Sequence, residues 1–466
     1  MREIKKVYFI GIGGIGISAL AQYYLEKGVK VYGSDLVSSE ITKMLEKKGA
    51  KIFINSKGKS QNSKPQVKTQ NLIKNSNLVI YSKAVPHSHP ELRLARKLKK
   101  KCLSYPEALG ELTKRYFTIA VCGTHGKSTT CAMIALILIK AGLNPTVILG
   151  TKLKEFGDSN FRMGGKPKLL TTHYSLLTDK VLLIEADEHF GSFLNYWPDV
   201  IVITNLEPEH LDYYKSFKNY LRAFEKFIDH LSESGRLVLN KDDKNIKKLK
   251  IKNEKLKIKK FTLKQKEARE LRKILKVPGR HNIYNALAAL TCARVLGVKD
   301  KISFEALSRY KGSWRRMEEK KIIIDHLSFI LVSDYGHHPT EIKATISALR
   351  EKYPRKKIWL VFQPHQYQRT YYLFKDFVKV LKDLKVQKII IPPIFDVAGR
   401  ENEKIKKKVS SEKLVKAINQ KLKRKKAFFV PDFKKIKSFI KAYFEGDILV
   451  IMGAGDIYKL SHEFST

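Results

Sequence analysis

FTIAVCGTHGKSTTCAMIALILIK, residues 117–140, decides the fold. A strand-length apolar run (117–122) enters the loop Gly123-Thr124-His125-Gly126-Lys127-Ser128-Thr129-Thr130, and an apolar helical stretch (131–140) leaves it. Strand, glycine-bearing loop and helix in that order form a phosphate loop. Backbone N–H groups cradle triphosphate oxygens, the lysine neutralises β/γ charge and the hydroxyl is a ligand for Mg²⁺. Strict spacing would place a glycine at 121, where the chain has Val121, so the match is to a shorter G-x-x-G-K-S form. Candidate ATP ligands are therefore Gly123, Thr124, His125, Gly126, Lys127, Ser128 and Thr129.

Upstream of this loop, apolar runs of strand length alternate with helical stretches: VYFI (7–10), KVYGSD (30–35) and LVIYS (78–82). VLLIEA (181–186) and VIVITN (200–205) continue the pattern downstream. A further series, including IIIDH (322–326), FILVSDY (329–335), KIWLVFQ (357–363), KIIIPPI (388–394) and DILVIMG (447–453), is interleaved with lysine-rich amphipathic helices. Such alternation predicts parallel, doubly wound α/β structure. No internal repeat of fixed period breaks it.

A second glycine motif, Gly11-Ile12-Gly13-Gly14-Ile15-Gly16, lies between VYFI and a helix, and Asp35 stands 19 residues after Gly16 at the end of the next strand. Glycines there let the backbone approach a diphosphate, the helix start supplies N–H donors, and Asp35 is placed to accept from a ribose hydroxyl. Alone, this fingerprint would read as an NAD(P) dehydrogenase, which is the alternative from another class. Such an enzyme has no use for a separate triphosphate loop.

Glu185, Asp187 and Glu188 end the strand VLLIEAD, and His210 lies beyond the next strand. In a parallel sheet these strand ends share the edge that carries the phosphate loop, where carboxylate and imidazole would hold Mg²⁺. Farther on, Arg280-His281-Asn282 opens a helix, Trp314-Arg315-Arg316 lies near a strand start, and Tyr335-Gly336-His337-His338 and Gln363–Arg369 follow strands. Arginine and histidine are costly to bury unpaired, so these clusters predict a binding cleft, with arginine gripping a carboxylate.

The chain has 466 residues, which at about 150 per domain predicts roughly three domains. Its 43% hydrophobic content supports packed cores. The run Val7–Leu25 carries no charge, but four glycines, Gln22, Tyr23 and Tyr24 make it strand, turn and amphipathic helix rather than a signal or a membrane span. Cys102, Cys122, Cys131 and Cys292 lack CxxC spacing, which argues against a disulfide framework or thiolate zinc and fits a reducing cytoplasm. Lys and Arg total 91 against 45 Asp and Glu, a balance of +46. With no aromatic-interleaved basic patch and no helix-turn-helix signature, this charge does not indicate nucleic acid. The lysine-rich stretches 55–71 and 241–260 read as solvated loops or faces.

GTHGKST (123–129), EADE (185–188), TNLEPEHLD (204–212), GRHNIYNALAA (279–289), DYGHHPTE (334–341) and QPHQYQR (363–369), in that order over nearly the whole chain, resemble the Mur ligase family. The resemblance implies three domains: an N-terminal Rossmann-like domain for a UDP-sugar (1–115), a central ATPase domain (116–310) and a C-terminal Rossmann-like domain for the amino acid (311–466). It also implies a cytoplasmic monomer or weak homodimer in peptidoglycan precursor synthesis. In the implied reaction ATP phosphorylates the carboxylate of UDP-N-acetylmuramate and the amine of L-alanine attacks the acyl phosphate. A ligase for recycled murein peptides is the nearest rival.

Carried over, Lys127 would stabilise the transferring phosphoryl group, while Ser128, Glu185 and His210 would hold Mg²⁺ (or Mn²⁺). His281 and Asn282 would reach ATP. Arg316, Tyr335, His337 and Arg369 would surround the amino acid and acyl phosphate, with Lys127, His210, His337 and Arg369 the catalytic set. Gly11, Ile12, Gly13, Gly14, Gly16, Asp35 and Ser82 would face the UDP part. Three positions depart from the family pattern: Tyr8 replaces a histidine, Ser128 a threonine, and Ser313-Trp314 a Thr-Gly pair. The first bears on the UDP-sugar site and the last on the width of the amino-acid pocket. The segment 151–180 is longer than expected between the phosphate loop and EADE.

Overall fold

The computed structural model describes residues 4–55, 67–165, 180–324, 327–397, 403–420 and 422–464. Three α/β sheets carry the chain. The first is formed by β1 (Lys6–Ile10), β2 (Lys30–Asp35), β3 (Lys51–Ile54), β4 (Leu78–Tyr81) and β5 (Lys101–Ser104), in the order β3-β2-β1-β4-β5, all parallel. The strand order reverses at β1, so the loops after β1 and β4 open a crevice between them, the usual ligand position in such sheets. Gly11–Gly16 leaves β1 there, and Ser82 follows β4.

The second sheet contains β6 (Phe117–Cys122), β7 (Thr146–Leu153), β8 (Ser159–Arg162), β9 (Val181–Glu185), β10 (Val200–Ile203), β11 (Arg236–Asn240) and β12 (Lys257–Phe261). Its order is β12-β11-β10-β6-β9-β7-β8, and only β8 is antiparallel. Residues Ile119–Cys122 of β6 are wholly buried between β9 and β10, as a central parallel strand with both faces covered requires. The lysine-rich stretch 241–260 leads into β12, where Lys257, Lys259 and Lys260 are exposed and Phe261 is buried. Lysines on an edge strand keep it from pairing with other chains. They also hide the strand from a hydrophobicity reading.

The segment after the phosphate-loop helix has a structural account. Residues Thr151–Arg162 complete β7 and turn back as β8, and residues 166–179 of that long segment lie outside the described residues. β8 packs on the helix Ile15–Glu26: Gln22 Nε2 donates to Asn160 Oδ1 (2.9 Å), Ser159 Oγ donates to Gln22 Oε1 (3.0 Å), and Asn160 Nδ2 donates to the Ile15 carbonyl.

The third sheet comprises β13 (Glu318–Ile324), β14 (Leu327–Asp334), β15 (Ile358–Phe362), β16 (Lys388–Ile391), β17 (Ala427–Phe429) and β18 (Ile448–Met452), in the order β13-β14-β18-β15-β16-β17. All pair in parallel except β13. The last two residues of the predicted strand run 322–326 lie outside the described residues. Alternate residues divide between two cores: Leu360, Phe362, Val450 and Met452 pack with Ile342, Ile346 and Phe377, while Trp359, Val361, Leu449 and Ile451 pack with Ile436, Ile440 and Leu460. This is the two-residue period of a sheet covered on both sides.

Two compact units contain these sheets. The first comprises Met1–Leu206, Leu221–Thr262 and Leu287–Leu307, with the first two sheets; the second comprises Glu207–Tyr220, Leu263–Ala286 and Ser308–Thr466, with the third. No described helix is long and apolar enough to cross a membrane.

Candidate active site

In the first unit, Val121 pairs with Glu185, which brings the ends of β6 and β9 side by side. The loop between β6 and the helix Lys127–Lys140 passes through Gly123 at φ +121° and Gly126 at φ +81°, backbone regions that favour glycine. A Cβ at Gly123 would also stand 2.4 Å from Thr204 Oγ1. The end of β10 holds the loop from the other side: Asn205 Oδ1 accepts from His125 N (3.0 Å), and Thr204 Oγ1 donates to the His125 carbonyl (2.7 Å). The sequence reading did not single out Thr204 or Asn205. Their signals were their place at a strand end beside the loop and at the start of TNLEPEHLD.

Lys127 Nζ donates to the carbonyls of Gly123 (2.8 Å) and Thr124 (3.3 Å) and pairs with buried Glu188 at 3.0 Å. Burial alone would lower its pKa, but Glu188, Asp187 and Glu185 outweigh burial and hold the ammonium charged. Ser128 Oγ donates to Glu185 Oε1 (3.0 Å), whose other oxygen accepts from Gly150 N (2.9 Å). A hydroxyl and a carboxylate oxygen this close are the hard oxygen donors that Mg²⁺ takes, so this part of the predicted metal set fits. His210 belongs to the second unit and starts the short helix Leu211–Tyr214 at φ +53°.

On the first sheet, Asp35 faces the glycine loop: its Oδ2 accepts from Gly13 N (2.8 Å), and a Cβ at 13 would come within 2.9 Å of that oxygen. Its Oδ1 accepts from Leu36 N (2.7 Å). Asp35 therefore shapes the loop directly. Tyr8 is fully buried within the sheet, and its hydroxyl donates to Glu91 Oε1 (3.1 Å).

In the second unit, the C-terminal ends of the parallel strands β14, β18 and β15 bring together Tyr335–His338, Gly453 and Gln363–Arg369. Arg369 is 7% exposed; its Nε donates to Glu209 Oε1 (2.9 Å), and its Nη1 lies 3.1 Å from His365 Nδ1. Burial would raise the Glu209 carboxyl, but Arg369, His210, His338 and His337 hold it well below the usual carboxylate range. Burial, against the pull of Glu341, pushes His337 down to about 4. Burial, Arg369 and His337 together push His365 down to about 2. His338 caps the helix Pro339–Lys352 by accepting from Thr340 N (3.2 Å), while Glu341 Oε2 accepts from the N–H groups of His337 and His338.

Arg316 lies over the Tyr335 ring, 5.0 Å from its centroid. Its neighbour Arg315 is 4% exposed, lies over the rings of Trp314, Tyr335 and Tyr458, and donates to the Gly453 carbonyl. Arg315 thus ties the strand ends together from within. Trp314 packs edge-on against Tyr458 beside a cavity of about 30 Å³, room for about one water. His281 and Asn282 open the helix Arg280–Val295. Burial and Arg316 push His281 down to about 4, and Asn282 Nδ2 donates to the Pro278 carbonyl (2.7 Å).

Three family models match consecutive parts of the chain: "Mur ligase family, catalytic domain" at residues 6–117, "Mur ligase middle domain" at 121–276 and "Mur ligase, glutamate ligase domain" at 315–455. The chain belongs to the Mur ligase family. Its relatives include the UDP-N-acetylmuramate–L-alanine ligase of Aquifex aeolicus, 39% identical with 100% of this chain and 98% of the relative covered. The enzyme of the same name from Acetivibrio thermocellus is 37% identical, with 99% and 96% covered. Among solved structures, the UDP-N-acetylmuramate–alanine ligase of Thermotoga maritima superposes with a TM-score of 0.74 at 26% identity, covering 99% of this chain and 98% of that one. A murein peptide ligase from Psychrobacter arcticus shares the fold at TM-score 0.70 and 20% identity. As a Mur ligase the chain is an ATP-dependent, amide-forming enzyme built as three α/β domains.

Proposed function

We propose that this Mur ligase joins L-alanine to the carboxylate of UDP-N-acetylmuramate in peptidoglycan precursor synthesis, in the cytoplasm. The observation that carries the reading is full-length similarity to relatives of that name together with an intact phosphate loop, Lys127 and Ser128 included. The proposed domains are 1–115, 116–310 and 311–466. Gly11, Ile12, Gly13, Gly14, Gly16, Asp35 and Ser82 take the UDP-sugar. Gly123–Thr129, His281 and Asn282 take ATP.

The γ-phosphoryl of ATP passes to the muramyl carboxylate, giving ADP and an acyl phosphate. The alanine amine then attacks the carbonyl carbon, and the tetrahedral adduct expels phosphate to leave the amide. Lys127, charged and held at the loop, offsets negative charge on the transferring group. Ser128, Glu185 and His210 would hold Mg²⁺, or Mn²⁺ in its place, which supplies charge neutralisation at the phosphates. Arg316, Tyr335, His337 and Arg369 bind the amino acid and acyl phosphate; Arg369 suits the task because its fork matches a carboxylate. With its imidazole pushed down to about 4, His337 is neutral at pH 7 and suits binding and orienting the substrate rather than holding a proton.

ADP release measured with UDP-N-acetylmuramate and a panel of amino acids and murein peptides tests this. L-alanine is expected to support turnover and Lys127→Ala to lower kcat by about a thousandfold. A peptide preferred over alanine would transfer the reading to the recycling reaction. ATP turnover indifferent to the UDP-sugar would end it.

A further inference from the structure

A buried carboxylate outside every motif stands behind the glycine loop. Glu91, in the first turn of the helix Pro90–Lys97, is 2% exposed. Its Oε1 accepts from Tyr8 Oη (3.1 Å) and Asn55 Nδ2 (3.1 Å), and its Oε2 accepts from Ser34 Oγ. Those donors come from β1, from β2 and from the residue just after β3, so one side chain grips three adjacent strands. These three, and the Thr69 hydroxyl that also hydrogen-bonds the carboxyl, are neutral, in a chain with 91 lysines and arginines. The surrounding face is apolar: Ile10, Ile73, Val79, Leu92 and Ala95 are all buried there. An acid in such a place costs stability that an apolar side chain would not, so a packing role alone does not account for it.

What the acid holds is the platform of the loop. The Ser34 carbonyl accepts from Gly11 N (2.8 Å) and Ile12 N (3.1 Å), and Asp35 Oδ2 accepts from Gly13 N (2.8 Å). Three successive loop amides therefore take their direction from residues 34 and 35. Glu91 holds Ser34 directly. It reaches Asp35 through Asn55, whose backbone N–H donates to the Asp35 carbonyl (2.8 Å). We propose that Glu91 is a positioning residue for the UDP-sugar site, acting through Ser34 and Asn55 on the backbone that sets the glycine loop. The proposal rests on the reading of Gly11–Gly16 as that site.

Steady-state kinetics with UDP-N-acetylmuramate, ATP and L-alanine, alongside thermal melts, test it in the full-length enzyme. Glu91→Ala is expected to raise KM for the UDP-sugar about ten- to a hundredfold while kcat at saturation and KM for ATP stay within about twofold. Glu91→Gln is expected to recover most of the loss, because its carbonyl still accepts from Tyr8 and Asn55 and its amide donates to Ser34 Oγ. Ser34→Ala cuts the link without removing the acid, so it reports even if Glu91→Ala fails to fold, and a rise of about three- to tenfold in the same KM is expected. A UDP-sugar KM unchanged in Ser34→Ala, together with a KM in Glu91→Ala that is unchanged or that rises only in step with kcat and the KM for ATP, would overturn the proposal. Wild-type turnover that shows no saturation by the UDP-sugar would instead overturn the reading of the loop.

Discussion

At the scale of single residues, the second unit holds a buried ion pair whose members are distant in sequence. Arg369 and Glu209 are each 7% exposed and are separated by 160 positions in sequence. Removing one member leaves an unpaired charge in the interior, which typically costs about 3–5 kcal/mol, whereas replacing both with apolar groups costs far less. A double-mutant cycle of Glu209→Leu and Arg369→Met, read by denaturant midpoints, should show each single variant more destabilised than the double. Additive effects would mean that the pair is not coupled. Arg369 was legible from QPHQYQR, but its partner was not: Glu209 was only a residue of TNLEPEHLD, and no local pattern says which distant cation an acid meets. His281 gives a separate prediction. Its folded pKa of about 4 lies below its ordinary 6.5, so the unfolded chain binds the extra proton first. The stability it contributes is present above about pH 6.5 and lost as pH falls towards 4, on the order of 3 kcal/mol. Melts across that window should fall less steeply for His281→Gln than for wild type; equal slopes would refute the assignment.

At the scale of elements, what the sequence showed depended on how strands sit in their sheets. Central strands such as β6, β10 and β18, buried on both faces, are near-continuous apolar runs and were readable directly. Strands β3, β5 and β12 escaped because they are lysine-bearing and lie at sheet edges, where water reaches one side. The β7–β8 hairpin escaped for another reason. Its sequence role is clear only once the helix Ile15–Glu26 lies against it, where Gln22 donates to Asn160 and Asn160 donates to the Ile15 carbonyl. Truncating one amide orphans the other groups, at about 1–3 kcal/mol for each buried polar group left unsatisfied. Asn160→Leu should therefore lower stability by about that amount and speed hydrogen exchange in the helix that follows the glycine loop. Unchanged exchange there would mean that the hairpin does not brace the helix. The two glycine loops were legible for the opposite reason: their glycines at 11, 123 and 126 mark the positive-φ turns outright, although the distant residues that hold each loop were not marked.

At the scale of the whole molecule the dominant fact is charge. Ninety-one cations face 45 anions, so even complete pairing would leave a balance of +46. The best-formed surface pairs, such as Arg294 with Asp300 and Lys356 with Asp447, join well-exposed groups, and pairs of that kind contribute about 0–1 kcal/mol each. Repulsion among the unmatched lysines acts over many such distances at once and opposes the compact state. Salt shortens its range from about 30 Å at 0.01 M to about 10 Å at 0.1 M. Two opposed effects thus compete: screening weakens the pairs, which are few and weak, and relieves the repulsion, which is pervasive. The second should win, so Tm should rise by on the order of a few degrees between about 0.02 and about 0.5 M sodium chloride. Inorganic phosphate at matched ionic strength separates this field from specific anion binding. Any extra stabilisation by phosphate that Lys127→Ala removes belongs to the loop, and what persists in the variant belongs to the surface. A Tm that falls with sodium chloride would show that the surface pairs, not the repulsion, govern the fold's response to ions.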